Sequence, residues 1–328
     1  MAMNKTVGLP EISIIVPCFN EALSLPELYE RIMKVFERGP QYEIIFVDDG
    51  SSDGTHSVLA GMSDPAVRCI RLRRNFGKAA ALSVGFREAR GRFIVTIDAD
   101  LQDQPEEIPA LLDSMKQEEW DLVSGWKRRR RDSIDKTWPS RIFNRVTAAL
   151  TGIRIHDFNC GLKAYRREVI EEIKVQGEMH RYIPVLASYR GFRVGEVPVS
   201  HAPRKYGHSK YGAGRFFGGF FDLLTVIMLT RYNHRPLHAF GVLGLLLAST
   251  GLSIETYLAG GWFFGQWIAG RPAFQLGILL TIIGVQFIFF GLLAEMIAYS
   301  SRKEEDYGAR LIAPKGEYVS EEIHQLRR

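Results

Sequence analysis

The sequence predicts an α/β protein: a mainly parallel sheet covered by helices on both faces, followed by interfacial helices and two membrane-crossing helices. Three observations carry this expectation. Short apolar runs rich in Val, Ile and Phe alternate with helical patterns in the first part of the chain. Acidic or Gly-containing turns follow several of those runs at their carboxyl ends. Residues 236–299 are nearly free of charge.

Taken in order, Ile12-Ser13-Ile14-Ile15-Val16 reads as a buried strand halted by Pro17. Asn20-Glu21 opens a helical pattern with Leu25, Leu28, Ile32 and Val35 at helical spacing. Glu43 to Val47 is a second strand, ending in Asp48-Asp49-Gly50-Ser51-Ser52-Asp53-Gly54. Val67 to Leu72 is a third, followed by Asn75-Phe76-Gly77-Lys78 and an Ala-rich helix reaching Arg90. A fourth, Ile94 to Ile97, runs into Asp98. A helix with Pro105 near its start and a strand at Asp121 to Ser124 come next. Pro139 opens an amphipathic helix carrying Ile142, Phe143, Val146 and Leu150. Asp157 to Lys163 reads as a turn into either a strand or a helix, and Val194 to Val199 as an edge strand. In sheets of this kind ligands sit beyond the carboxyl ends of the strands. Pro17, Asp48-Asp49 and Asp98-Asp100 all fall there.

Phe216 to Thr230 is apolar but short and is interrupted by Asp222, which suits a helix lying in an interface. Leu237–Leu258 and Phe274–Tyr299 are each long enough to cross about 30 Å of hydrocarbon. Arg231 and Arg235 precede the first, Arg302 and Lys303 follow the second, and the connector holds Arg271. The positive-inside rule then places both termini and the large domain in the cytoplasm. Glu295 reads as an ordinary interfacial carboxylate. Small residues in the spans (Gly241, Gly244, Ala248, Gly277, Gly284, Gly291) permit close helix contact and, with it, association of copies. The expected organisation is a domain over 1–211, a juxtamembrane segment over 212–235, two spans over 236–300 and a charged tail over 301–328.

The net charge of +5 over 328 residues favours acidic partners such as phosphates or anionic lipid headgroups. Lys127, Arg128 to Arg131, Lys136, Arg141 and Arg145 form a basic stretch. Next to membrane spans this favours an anionic leaflet over nucleic acid, at about 1 kcal/mol for each Lys or Arg near the surface. Three widely separated cysteines without a CxxC give neither a disulfide framework nor a zinc site. The histidines lack metal-ligand spacing. Met1 to Pro10 is short and polar, unlike a secretory signal. No GxGxxG follows a strand and no GxxxxGK[ST] occurs, so dinucleotide and Walker-type phosphate sites lack support.

The chemistry concentrates in Asp98-Ala99-Asp100-Leu101-Gln102-Asp103. Carboxylates at i and i+2 of an extended backbone share a face, so Asp98 and Asp100 are expected to aim at one point, with Gln102 in reach. Hard oxygen ligands of this kind suit Mg2+ or Mn2+, which also grips a diphosphate. Lys78, at a helix start, is a candidate for contact with the donor.

Pro17-Cys18-Phe19-Asn20-Glu21, Val47-Asp48-Asp49-Gly50-Ser51, the Asp98–Asp103 stretch and two apolar spans occur in that order. This ordered set resembles family 2 glycosyltransferases of the GT-A fold. More narrowly it is similar to the polyprenyl-phosphate glycosyltransferases, among them dolichol-phosphate mannose synthase and bacterial undecaprenyl-phosphate glucosyltransferases. The resemblance covers nearly the whole chain. It implies that Pro17, Phe19, Glu21 and Asp49, with Asp48 alongside, line the nucleotide base and ribose. It implies that Asp98, Asp100 and Gln102 hold the metal and the diphosphate, and that Asp157 stands near the acceptor. Arg141, with Arg128, Arg204 and Lys210, would meet the acceptor phosphate. Asp100, Asp157 and Arg141 are thus the expected catalytic set. Leu162-Lys163 departs from the family's commoner Phe-Arg pair.

The implied reaction is inverting transfer of a hexose from a nucleotide-sugar to undecaprenyl phosphate, with UDP-glucose as the expected donor. GDP-mannose, UDP-N-acetylglucosamine and modified pentoses also fit. A processive polysaccharide synthase would need more spans and a QxxRW motif, which is not found. A membrane-anchored nucleotide-sugar sensor would keep the base-binding acids without needing Asp98, Asp100, Gln102, Asp157 and Arg141 together.

Overall fold

The computed structural model describes residues 9–128, 144–173, 179–203, 205–206, 221, 223–228, 230, 232, 235–265, 267–268, 271–301, 311–312 and 318–319. Arg129 to Phe143, Arg204 and Lys210 lie outside the described residues, and with them the expected roles of Arg141, Arg204 and Lys210. The chain divides into two compact units, Met1–Ile227 and Met228–Arg328.

In the first unit the elements run β1 (Ile12–Cys18), α1 (Leu25–Phe36), β2 (Tyr42–Asp48), α2 (Thr55–Ala60), β3 (Val67–Arg71), α3 (Lys78–Glu88) and β4 (Phe93–Thr96). A 3-10 turn (Pro105–Glu107) leads into α4 (Ile108–Gln117), then β5 (Leu122–Trp126), β6 (Lys163–Arg166), α5 (Arg167–Glu172), α6 (Ile183–Tyr189) and β7 (Val194–Pro198). The seven strands form one sheet in the order β3-β2-β1-β4-β6-β5-β7. β1, β2, β3 and β4 are mutually parallel, β6 is antiparallel between β4 and β5, and β7 is parallel to β5.

The strands read from the sequence are present, within a residue or two at their ends. The ambiguous Asp157–Lys163 segment resolves into a loop that enters β6. Helix α1 begins at Leu25 rather than Asn20, because Asn20 takes a left-handed backbone (φ 55°) that ends β1's line of travel.

Two apolar layers sandwich the sheet. Leu25, Leu28 and Ile32 of α1 and Leu111 and Met115 of α4 pack on one face of β1, β2 and β4. Ala81, Leu82 and Phe86 of α3 cover the other face, with Ile170 and Ile183. A smaller cluster joins Ile155, Phe158, Tyr182 and Val185 to Leu223 and Val226, so helical residues 223–227 belong to the first unit. Of the amphipathic helix expected from Pro139, residues 144–151 are described and helical: Asn144 and Thr147 are buried, while Val146 and Leu150 are exposed.

In the second unit, α7 (Pro236–Phe263, 28 residues) and α8 (Pro272–Ser301, 30 residues) are both apolar and long enough to cross a membrane. At about 1.5 Å per residue each exceeds 40 Å. Each starts on a proline, whose fixed φ and missing N–H suit the first helical position. Their seam is made of small residues. A Cβ at Gly244 would lie 2.6 Å from the Gly284 carbonyl oxygen, and one at Gly251 would lie 2.5 Å from that of Gly277. Gly244, Gly277, Gly284 and Gly291 are thus used inside the chain's own hairpin, whereas Gly241 meets only Leu237 of its own helix.

Glu295 also gains a specific partner: its carboxylate accepts the Leu237 N–H at 3.1 Å, satisfying one of the free donors at the start of α7. Glu255, which sequence reading passed over, accepts from the Thr281 hydroxyl at 3.4 Å across the same seam. Gly284→Leu is expected to part the two helices. The check is the melting temperature of the detergent-purified protein, which should fall in the variant.

Candidate active site

Parallel β1, β2 and β4 deliver their carboxyl ends to one edge, and antiparallel β6 starts at the same edge because Lys163 pairs with Thr96. Four loops therefore meet: 19–24 after β1, 49–55 after β2, 97–104 after β4, and 156–162 before β6.

The first two loops are laced together. The Asn20 N–H donates to the Ser51 hydroxyl at 2.9 Å, the Ser52 N–H to the Asn20 side chain at 2.8 Å, and the Glu21 N–H to the Thr55 hydroxyl at 2.9 Å. Pro17, Phe19 and Glu21 are half-buried along this rim. Asp48, the last residue of β2, is buried. It accepts the Ser51 N–H at 2.8 Å and stands 3.4 Å from the Arg71 guanidinium. Asp49 accepts the Phe76 and Gly77 N–H groups at 2.8 and 2.9 Å, one on each oxygen. Burial pushes its carboxyl above the ordinary value and these two bonds oppose the rise. Asp49 thus fastens the tip of β2 to the entrance of α3, a positioning role that sequence reading did not assign.

Strand β4 ends at Thr96, two residues before Asp98. Asp98 and Asp100 therefore do not share a strand face, as the i, i+2 rule would have it. Asp98 precedes, and Asp100 belongs to, a turn at Ala99-Asp100 that Leu101 closes with a left-handed backbone (φ 60°). A branched residue tolerates that conformation poorly, and the burial of Leu101 in the core holds it. The Gln102 N–H donates to Asp100 Oδ1 at 3.1 Å. The far side of the turn is pinned by an ion pair of 2.6 Å between Lys127 and the buried Asp103, and by the Ala202 N–H donating to the Gln102 carbonyl at 3.0 Å. Sequence reading missed both ties, since partners separated this far leave no periodic signal.

Asp98 meets Lys78, the first residue of α3, at 2.5 Å. Burial alone would raise its carboxyl; Lys78 above all, then Lys127 and His180, bring it down to about 2 instead. A depressed acid stabilises the fold above the unfolded value of about 3.9 and loses that contribution as pH falls through about 2. Lys78→Met should therefore move the acid limb of unfolding to higher pH, as read by tryptophan fluorescence between pH 5 and 2. An unchanged limb would mean that Lys78 does not control Asp98.

The fourth loop reaches Asp98 through Gly161. A Cβ there would collide with the Asp98 carboxylate, and the Gly161 carbonyl accepts from the Thr96 hydroxyl at 2.9 Å. Asp157 is buried, accepts the Asn159 N–H at 3.0 Å and so shapes the turn. Buried Lys163 donates to the Phe158 carbonyl at 3.3 Å and also to that of Cys160, closing the same turn from below. Beside it, Arg128 is exposed with its guanidinium 5.8 Å from the Trp126 ring, which stacks on His156 at 4.2 Å.

Among the described residues no group of three or more His, Cys, Asp or Glu side chains converges on a point that could hold a metal ion. Two carboxylates beside a tight turn suit a hard cation that draws its remaining ligands from phosphate oxygens and water, and do not suit a zinc cage. The sequence-derived ligands Asp98, Asp100 and Gln102 fit that chemistry.

Known proteins give this edge of the sheet a context. Residues 13–174 match the family model for glycosyl transferase family 2. Dodecaprenyl-phosphate galacturonate synthase of Rhizobium johnstonii is 40% identical over 92% of both chains. Undecaprenyl-phosphate 4-deoxy-4-formamido-L-arabinose transferase of Salmonella paratyphi B is 36% identical over 98% of this chain and 100% of its own. Among solved structures, glucosyl-3-phosphoglycerate synthase from Mycobacterium tuberculosis, in complex with Mn2+, UDP and phosphoglyceric acid, superposes with a TM-score of 0.54. It is 18% identical over 67% of this chain and 78% of that one, a likeness of fold. The chain belongs to glycosyl transferase family 2, among the polyprenyl-phosphate sugar transferases.

Proposed function

We propose that the chain transfers a sugar from a nucleoside diphosphate donor to a polyprenyl phosphate at the cytoplasmic face of the membrane, with inversion at the anomeric carbon. The observation that carries this reading is the meeting of Asp98, Lys78 and Gly161 at the strand tips, in a chain that also has two helices able to cross a bilayer. The orientation rests on Arg231, Arg235, Arg302 and Lys303 flanking the spans.

A divalent cation such as Mg2+ or Mn2+, held by Asp98, Asp100 and Gln102, would act as a Lewis acid on the leaving diphosphate. The chain's own residues do the rest. Pro17, Phe19, Glu21 and the Asp48-Asp49 pair form the rim that receives the base and ribose. Lys78 keeps Asp98 ionised. The acceptor is a phosphate monoester whose second pKa is about 6, so it arrives largely as a dianion and needs little help from a base. Asp157, buried and tied to its own turn, fits an orienting role better than proton abstraction. Arg128, Arg141, Arg204 and Lys210 supply the cations for the acceptor phosphate.

On the donor, the relatives' names turn the expectation away from UDP-glucose toward sugars such as a hexuronate or an amino-arabinose derivative. The test is purified protein incubated with undecaprenyl phosphate and a panel of radiolabelled donors: UDP-glucose, GDP-mannose, UDP-N-acetylglucosamine, a UDP-hexuronate and a UDP-aminopentose. Metal-dependent label in the organic phase supports the reading. Label that stays bound to protein with no lipid product overturns it.

A further inference from the structure

The strand order β3-β2-β1-β4-β6-β5-β7 sets three groups in a row along the site's edge. The loops after β1 and β2, which form the rim for the nucleotide, lie to one side of the Asp98 turn after β4. To the other side, β5 runs parallel to β4 and ends in Trp126. Thr96 and Ser124 both pair with Lys163, so Asp98 and Trp126 each follow the same level by two residues, two strand spacings or roughly 10 Å apart. They also share a face of the sheet. Leu122 packs in the layer built by α3, Trp126 follows it at even spacing, and Asp98 meets Lys78 of α3.

At Trp126 the loop before β6 and the edge strand β7 build a platform. The His156 ring stacks on the indole at 4.2 Å, within 15° of parallel. Glu196 of β7 accepts the His156 N–H at 2.7 Å and also the ring Nδ1–H. This carboxylate is mostly buried, whereas the imidazole is 63% exposed. A carboxylate on one ring nitrogen fixes the orientation of a histidine and turns the other nitrogen toward a ligand. Here that nitrogen is Nε2. The Arg128 guanidinium stands 5.8 Å from the same indole. Ile155 and Phe158, which flank His156 in the chain, pack with Leu223 and Val226 in the segment that leads to the first span.

We propose that His156 is a residue of the acceptor site, donating its Nε2–H to an oxygen of the polyprenyl phosphate beside Arg128, with Glu196 as its positioning residue. The inference rests on the transferase reading and adds to it a residue that the sequence motifs do not mark. Inverting displacement requires the attacking phosphate to approach opposite the leaving diphosphate. The nucleotide rim and the cation at Asp98 and Asp100 fix the leaving side, so the attacking oxygen comes from the β5–β7 end of the edge. Between a carboxylate and a phosphate the ring carries both its protons, as the imidazolium. Imidazolium and guanidinium together suit a phosphate. The indole offers the first carbons of the lipid an apolar surface.

The test compares His156→Ala, His156→Phe and His156→Arg with the wild type. His156→Phe keeps a ring on Trp126 without a nitrogen, whereas His156→Arg keeps both a flat group on the indole and a donor for phosphate. Each full-length protein in detergent is titrated with undecaprenyl phosphate, undecaprenol and phosphatidylglycerol, and bound lipid is read by native mass spectrometry. Affinity for undecaprenyl phosphate should fall about 10-fold or more in His156→Ala and His156→Phe, the scale of a lost hydrogen bond to a charged group. It should be largely restored in His156→Arg. In transfer assays KM for undecaprenyl phosphate should rise in step, with donor KM unchanged. Unchanged affinity in His156→Ala overturns the proposal. Recovery in His156→Phe overturns it too, by reducing His156 to a structural stack on Trp126. Equal weakening toward undecaprenol or phosphatidylglycerol would give the platform to the lipid chain or to the general leaflet, and would equally overturn it. Absence of wild-type transfer from every donor, with binding as expected, would be a failure of the transferase reading and leave the phosphate contact standing.

Discussion

Asp100→Ala is expected to lower sugar transfer by at least about 10²- to 10³-fold, the usual result of removing one group that meets charge developing on a leaving oxygen. The geometry explains why a neighbour cannot substitute. Asp100 sits in a turn closed by the left-handed Leu101, whose buried side chain fixes the direction of the loop. Asp103, the next carboxylate along, is fully buried and already paired with Lys127 at 2.6 Å. Asp98 is engaged by Lys78 at 2.5 Å.

The loop itself should survive the substitution, because it is held by the Lys127–Asp103 pair and by the Gln102 carbonyl accepting from Ala202. The signature is therefore lost turnover at nearly unchanged thermal stability. Chelation should mimic the variant in the wild-type protein, and added Mg2+ or Mn2+ should restore the wild type but not Asp100→Ala. Retained turnover in the variant would remove the metal role from this turn.

The fold was legible because its signals are local. Apolar runs ending in Pro17, Asp48 and Asp98 announce the strand tips, and a parallel α/β sheet must bring those tips to one edge. Strand β6 was not legible as a strand. Lys163 to Arg166 is short and carries two charges, and only its place between β4 and β5, where Lys163 can turn back to cap the Phe158 and Cys160 carbonyls, makes it one. In the helix around 144–151 the apolar spacing was legible, but which face the protein covers was not: burial is decided by the neighbour, which takes Asn144 and Thr147.

The acidic positions of the site were readable as types. Their partners were not, since Lys78 lies 20 residues from Asp98 and Lys127 lies 24 from Asp103. Met179-His180-Arg181 follows no period and precedes no motif, so the placement of His180 and Arg181 beside Lys78 and Phe158 became visible only in three dimensions.

Gly161→Ala should be as damaging as loss of a carboxylate, although it adds one methyl group. The Gly161 backbone adopts no left-handed conformation; what requires glycine is space. Its missing Cβ would stand 2.7 Å from Asp98 Oδ1 and closer still to the rest of that carboxylate. Neither side can yield easily. The Gly161 carbonyl is held by the Thr96 hydroxyl, and Asp98 is held by Lys78.

Overpacking of this kind costs about 1–3 kcal/mol, and displacing a reacting group by about 1 Å costs on the order of 10²-fold in rate. Gly152→Ala is the matched control. Gly152 has a left-handed backbone (φ 76°) with nothing within 4 Å of its Cβ position, so alanine there should cost about 1 kcal/mol of backbone strain and leave turnover intact. The two variants should separate cleanly in parallel assays of melting temperature and organic-phase label. If Gly161→Ala loses no more activity than Gly152→Ala, then the loop before β6 does not set the position of Asp98.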